Sequence, residues 1–476
     1  MSKLSSPIVI AVFFILVSCQ PTPTKTSTIE GFWQSIGYGK VLAINSGNYA
    51  SYDITAISCL PEEEGKLSSF AKAPSLQNDT LVVTKGTSKY YYIRISELPN
   101  LCTQALSKEK ANDPVYNFEV FARTVQEHFA YFKDSNINWD SLYKASKKRI
   151  SENPTEVELY LVLDDMLNTL GDNHGYVEPS DEVYESAEQL QTKDDVEDAD
   201  STLEEYGDFQ IAQIVAEAYL EEDMTKDSWL MSWGKMNDNI GYVQIKSMWL
   251  YADLNLSDSL IQADGFVDAY INTFTQMNEA AYIQEEVKGV KKVMDRVMND
   301  LKDTESILLD IRFNGGGQDA VSREILRRFN DQQKRIATKK AIHGKGFTAI
   351  QSIYMAPATT PYLKPVYLLT SQQSASAADF MALASFEIPH LKRIGSHSNG
   401  ALSDALEKHL PNGWYFTTSN EMYLDNNGVY YESRGIPVDS ELNYPEDRQT
   451  FFRYIAKNLD KDKKDVLEAI KALQGE

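Results

Sequence analysis

Cysteine is scarce, with only Cys19, Cys59 and Cys102 in a chain of 476 residues. Three are too few for a disulfide scaffold, and their spacing has no zinc-ribbon pairing. Basic residues are in deficit, 46 against 69 acidic ones, for a formal net charge of −23. Such a surface does not condense on nucleic acid or anionic lipid, so neither is an expected partner. After the N-terminus no stretch reaches the roughly 18 continuous apolar residues of a membrane-spanning helix. Also missing are His-Glu-x-x-His, Cys-x-x-Cys and a glycine loop that could cradle phosphate, so no metal or cofactor is expected. The Ser-x-x-Lys match at Ser69–Lys72 stands without the motifs that accompany it in β-lactamases. What is present is ordinary: 42% hydrophobic residues with 27 Tyr, 19 Phe and 6 Trp can fill sizeable cores and exclude global disorder. At roughly 100–200 residues per domain, the length implies two to four units.

The N-terminus has the form of an export signal. Lys3 precedes an apolar stretch from Pro7 to Val17, long enough for a signal-peptide core and too short to span a bilayer as a mature helix. It ends in Leu16-Val17-Ser18-Cys19, which resembles the bacterial lipobox. That resemblance implies a lipoprotein signal peptide over 1–19, lipidation of Cys19, and an exported protein held by its lipid on an outer or inner membrane, facing the periplasm or cell surface. The alternative is a plain secretory signal that contains a Cys. Residues 20–27, rich in Pro, Thr and Ser without apolar periodicity, read as a tether. In an oxidising compartment Cys59 and Cys102 are then available for a disulfide.

Several units follow. Over 28–105, runs such as Lys40–Ile44, Asn48–Asp53, Thr80–Thr84 and Tyr90–Ile95 are rich in β-branched and aromatic residues and are broken by turn residues. They predict a small β-barrel or sandwich with a binding or spacer role. Over 112–180, Phe118, Phe121, Val125, Phe129 and Phe132 recur at helical spacing, and a second helix, Leu159–Leu170, runs into the turn Asp172-Asn173-His174. Residues 181–238 open on the acid-rich stretch Asp181–Asp208, expected to be a solvated loop or insertion. From 239 to 450 strands and helices alternate. Strand Ile240–Ile245 precedes helix Asn278–Leu301, and strand Ser306–Ile311 precedes helix Ala320–Phe329. Strand Pro365–Thr370 then leads to helix Asp379–Phe386, and 451–476 reads as a helical tail. Strand, crossover helix, strand is the βαβ unit of a mostly parallel sheet, in which reactive groups gather beyond the carboxyl ends of the strands. The whole is a multidomain α+β chain.

Two motifs lie at such strand ends: Asp310-Ile311-Arg312-Phe313-Asn314-Gly315-Gly316-Gly317 and Ser374-Ala375-Ser376-Ala377-Ala378-Asp379. A Ser where a strand turns into a helix sits beside unpaired, partly positive amides that can hold an oxyanion, although Ser is favoured there for capping alone. Taken together, the two motifs resemble the core of the C-terminal-processing (tail-specific) serine proteases. The resemblance implies an α/β core of the ClpP/crotonase-like type, Ser376 as nucleophile, and the amides of Gly317 and Ala377 as oxyanion hole. One branch of that family takes a Lys base from a Gly-Lys-Gly motif after the Ser. Here that stretch is Gly395–Ser403 with His397 and no Lys, and Gly344-Lys345-Gly346 precedes the Ser. The other branch, similar to the tricorn protease core and retinoid-binding-protein-like domains, takes a His from an Asp-x-His turn, which implies His174 as base. A late Glu-x-x-Gly-x-x-x-Asp pattern, Glu432 to Asp439, implies Glu432 as the third member supporting the imidazolium.

An imidazole with a pKa near 6.5 suits the task of accepting the Ser proton and returning it to the leaving amine. The sequence therefore reads as a serine endopeptidase acting on peptides or unfolded proteins. His397 is the competing base, and a non-catalytic binding protein on the same scaffold is the alternative. Asn173 and Asp379 depart from the family pattern, and 181–238 is too short and acidic for the peptide-binding PDZ module most relatives carry, implying a reduced or absent one.

Overall fold

The computed structural model describes residues 28–475 except 71, 86–87, 134–136, 151–153 and 195–203. The signal peptide, Cys19 and the tether lie outside the described residues.

The first unit is one antiparallel sheet of seven strands. They are β1 (Gly31–Ser35), β2 (Lys40–Asn45), β3 (Asn48–Ile54), β4 (Cys59–Lys66), β5 (Ser75–Gln77), β6 (Thr80–Lys85) and β7 (Ser88–Ile95), in the order β4-β3-β2-β1-β7-β6-β5. Alternation puts Trp33, Leu42, Ile44, Leu81, Val83 and Tyr92 on a common inner face. The end strands β4 and β5 are not paired with each other, so this inner face is open at one side. Cys59 and Cys102 are bonded, tying β4 to the helical turn Asn100–Thr103, with their Cα atoms 4.9 Å apart.

Helices Pro114–His128, Trp139–Arg149 and Glu156–Leu170 form the second unit. The first begins on Asp113 as N-cap with Pro114 behind it, and the last closes on Gly171 in the left-handed region, φ 63°. Phe118, Phe121, Leu163 and Leu167 pack in one cluster with Phe416, from the strand Tyr415–Ser419 of a separate three-stranded sheet. The helix ends at His128, although the apolar spacing runs on to Phe132, and Phe129 is extended. Phe129 and Phe132 reach the same cluster from the following turn.

The acidic stretch departs from the expected loop. Asp181–Asp194 is a helix, with Val183 and Ala187 buried at i and i+4, enough of a stripe to dock on the module before it. The helix Asp208–Tyr219 follows.

The third unit is a seven-stranded sheet. Ile240–Ile245, Ser306–Asp310, Val366–Thr370 and Leu391–Gly395 run parallel, with Ser440–Glu441 added parallel at one edge. Met231–Met236 and Glu222–Asp223 complete the other edge antiparallel, so the core starts before residue 239. The strands are covered on both faces, as parallel strands require. Ile307 and Leu309 meet the helices Glu279–Leu301, Asp319–Leu326 and Ala377–Ala384 on one side. Leu308 and Leu369 meet Asp208–Tyr219, Arg448–Lys457 and Leu459–Gln474 on the other. The C-terminal helices are therefore a layer of the core and not a tail. Among the described residues no helix is long and apolar enough to cross a membrane.

Candidate active site

The strand Ser306–Asp310 delivers the glycine loop. Asp310 and Asp462 clamp Arg312, which is fully buried, with N–O distances of 2.7 Å to each. This network anchors the C-terminal layer beneath the loop. Asn314 then ties three segments together. Its side-chain amide donates to the Ile245 carbonyl, its Oδ1 accepts the Gly316 N–H, and its own carbonyl accepts the Ala375 N–H. Gly316 and Gly317 have φ of 109° and 134°, and a Cβ on Gly316 would stand 2.6 Å from Ser376 Cβ. A Cβ on Gly317 would stand 2.6 Å from the Met248 carbonyl carbon, whereas one on Gly315 would meet open space. The second and third glycines are needed for close approach; the first is not.

The strand Val366–Thr370 delivers the serines. Ser371 donates to the Arg312 carbonyl and Ser374 to the Ile311 carbonyl, so both hydroxyls stitch the serine turn to the glycine loop. Ser376 differs from them. It has φ 55° and ψ −117°, a region that costs a non-glycine residue about 1–3 kcal/mol, and stands immediately before the helix Ala377–Ala384. Ala377 is the first helical residue, so its N–H has no acceptor within the helix. Asp379 holds this elbow. Its carboxylate accepts the N–H groups of Ser376, Gly400 and Ala401 at 2.9, 2.8 and 2.9 Å. Burial raises Asp379 to about 6 against the lowering effect of these bonds.

His174 arrives from the second unit. Asp172 accepts its backbone N–H at 3.1 Å and is pinned in turn by Thr418 Oγ1 and the Ser419 N–H and hydroxyl. Thr417 Oγ1 donates to the His174 carbonyl. The turn is thus locked onto the strand Tyr415–Ser419. The ring Nδ1 is buried and has no hydrogen-bond partner among the described residues. Burial lowers the imidazole below its ordinary value, and the negative charges of Asp172 and Asp404 oppose that.

His174, Gly317 and Ser376 line one cavity of about 370 Å³, together with Gln318, Asp319 and residues 402–407. Its other wall is unexpected: it is the open inner face of the N-terminal sheet, including Lys40, Tyr49, Glu62, Lys85 and Tyr90. His397 is not among the lining residues. Its ring contacts Gln372 Nε2 at 3.0 Å and the Ser398 carbonyl at 2.9 Å. Glu432 is buried, but its carboxylate accepts the Leu402 and Ser403 N–H groups at 2.9 and 3.0 Å instead of bonding to His174. Burial, with the Asp379 and Asp172 charges, raises Glu432 to about 8 despite those two bonds. Asn173 is exposed. Among the described residues no group of three or more His, Cys, Asp or Glu could hold a metal ion.

The pair Asp404 and Lys339 carries no sequence signal. Asp404 lines the cavity, and its partner Lys339 sits 65 positions away at 2.9 Å. Asp379 was legible as an N-terminal helix acid, but not as the acceptor of two amides from a separate loop.

Comparison with known proteins agrees with this layout. Residues 239–442 match the model of peptidase family S41, and residues 111–168 match the tricorn protease C1 domain. A solved structure of a candidate peptidase from Parabacteroides merdae is 21% identical, with a TM-score of 0.52, covering 73% of this chain and 97% of that one. Mature CPAF is 11% identical, with a TM-score of 0.51, covering 77% of this chain and 99% of that one. At these identities the two structures speak for the fold alone. The matched segments support a serine peptidase, and from the helical module through the α/β core the chain resembles the peptidases of family S41.

Proposed function

We propose that the chain is a serine endopeptidase of the tail-specific, tricorn-core type. Ser376 attacks a peptide carbonyl, and His174 takes its proton and returns it to the leaving amine. The N–H groups of Gly317 and Ala377 hold the tetrahedral oxyanion. The acyl-enzyme is then hydrolysed by water through the same base. The carrying observation is that a Ser with strained backbone at a helix start shares one cavity with a histidine whose turn is fixed by Asp172 and with the second strained glycine. Strain kept at a serine, opposite a base, is the pre-organisation that nucleophilic catalysis uses.

Glu432 acts as a positioning residue. A carboxyl raised to about 8 carries little charge at neutral pH, so it supports the imidazolium weakly by charge. Instead it fixes the amides of Leu402 and Ser403, and with them the loop that presents Asp404 toward His174. The negative charges that stabilise a protonated His174 are those of Asp172 and Asp404. The sequence around Cys19 supports export and lipid anchoring, which would bring this activity to a membrane surface.

The test is turnover of an unfolded, fluorophore-labelled protein. Ser376→Ala and His174→Ala should each lower kcat by at least about 10³-fold at unchanged fold. His397→Ala should leave it within a few-fold. Loss of turnover in His397→Ala with retention in His174→Ala would overturn the assignment of the base.

A further inference from the structure

The cavity is lopsided in charge. On the N-terminal sheet both cations are already paired: Lys40 with Asp53 and Glu62, and Lys85 with Glu279 at 3.3 Å. On the opposite wall the carboxylates outnumber the cations. Behind that wall Lys339, 1% exposed, pairs with two acids and acts on a third by its charge. It bonds Asp404 at 2.9 Å and Glu421 at 2.8 Å, and also reaches the Ser88 hydroxyl of β7. The third acid, Asp319, makes no ion pair among the described residues. Arg323, one turn along its helix, donates to the Tyr354 carbonyl instead.

The positions of two of these acids matter for substrate. Asp319 stands two residues beyond Gly317, and Asp404 follows Leu402 and Ser403; all of them line the cavity that holds Ser376. The Asp404 side chain keeps 44% of its surface open although Lys339 and Tyr423 hold its two oxygens from below. A carboxylate fixed from behind and open in front, in a walled cavity, is the arrangement that recognises a cation.

We propose that Asp404 and Asp319 form a subsite for a cationic substrate group, a Lys or Arg side chain flanking the scissile bond, so that the peptidase cleaves selectively beside basic residues. This rests on Ser376 being the nucleophile. The substrate ammonium or guanidinium enters between the glycine-loop side and the N-terminal sheet, and supplies the positive charge that the three acids around Lys339 lack. The N-terminal sheet thereby closes the specificity pocket from above. Burial and the Asp404 charge push Asp319 up to about 7, against the lowering by Lys339 and Arg323 and with a further rise from Glu421. The subsite therefore gains charge as the pH rises through 7.

The experiment uses end-blocked peptides that differ only by Lys or norleucine at each position flanking the cleaved bond. A norleucine peptide with a free amino terminus separates a side-chain cation from a terminal one. The purified protein should cleave the Lys peptide at least about tenfold faster in kcat/KM at one position, the low end of measured close charge-pair couplings. The Lys-to-norleucine ratio should rise between pH 6 and pH 8, a readout in which the His174 titration cancels because both peptides share it. Asp404→Asn and Asp319→Asn should each bring the ratio toward one; the second variant covers the case in which the first fails to fold. Equal rates for Lys and norleucine, or a ratio unchanged in both variants, would overturn the subsite. Preference for the free amino terminus alone would overturn the side-chain assignment. Fluorophosphonate labelling of Ser376 in the same preparations separates the two levels. Labelling without cation preference refutes the subsite alone, and absence of both labelling and turnover refutes the peptidase reading beneath it.

Discussion

His128 should destabilise the fold as the pH falls, by an amount that can be worked out. It ends the helix Pro114–His128 and packs on the turn before β2 so closely that a Cβ on Gly39 would lie 2.4 Å from its Nε2. Both ring nitrogens are buried without a hydrogen-bond partner among the described residues. Burial lowers the ring to about 3, and the nearby charges of Lys408, Lys40 and His343 push the same way. In the unfolded chain it titrates near 6.5. A histidine lowered on folding contributes nothing unfavourable above the unfolded value and costs stability as the pH falls below it. Linkage between 6.5 and about 3 gives about 2 kcal/mol lost between pH 7 and pH 5, approaching about 5 kcal/mol near pH 3. Glu432, raised to about 8, works in the opposite direction, gaining stability as the pH falls through 8, so the native curve alone does not isolate His128. The comparison with His128→Phe does, because any packing offset is independent of pH. In urea unfolding followed by tryptophan fluorescence, the variant minus native difference should grow by about 2 kcal/mol from pH 7 to pH 5. Parallel curves would refute the reasoning.

Three further outcomes follow. The acid limb of kcat/KM should report an apparent pKa below 6.5, since His174 is lowered by burial and must be neutral to act; a limb at 7 or above in a pH-rate profile would contradict this. Arg312→Met should cost about 3–5 kcal/mol in denaturant unfolding, because it strands the buried carboxylates of Asp310 and Asp462, and a loss under 1 kcal/mol would show that they are otherwise compensated. Cys59→Ser with Cys102→Ser should destabilise the N-terminal sheet by up to about 4 kcal/mol for a sequence separation of 43, read from limited proteolysis after residue 28; an unchanged cleavage rate would refute it.

What could be read from the sequence was local. The strands Lys40–Asn45 and Thr80–Lys85 announce themselves because short runs rich in β-branched residues are bounded there by turn residues, and Glu156–Leu170 because its apolar residues recur at helical spacing. Ser376 and the glycine loop sit at strand ends, where a short motif and its structural setting coincide. The end of the first helix at His128 was missed because neither Gly nor Pro marks it, and the apolar stripe runs on through Phe129 and Phe132. The helix Asp181–Asp194 was hidden by its charge, since Val183 and Ala187 are a thin stripe among acids. The cavity wall lay beyond sequence reasoning. Ser88, Lys339, Asp404 and Glu421 converge from three separate strands and a loop, and no spacing encodes such a meeting. Glu432 shows the same limit in another form, because a motif can name a residue without telling whether it faces the imidazole or a backbone loop.

The claim on which all of this depends is that Ser376 is a nucleophile activated by His174. A fluorophosphonate probe added to the purified protein, with the adduct located by peptide mass spectrometry, examines it in one step. A single adduct on Ser376, absent in Ser376→Ala and slowed in His174→Ala, is the predicted result. Equal labelling of the Ser376→Ala protein, or an adduct on a different serine, would contradict it.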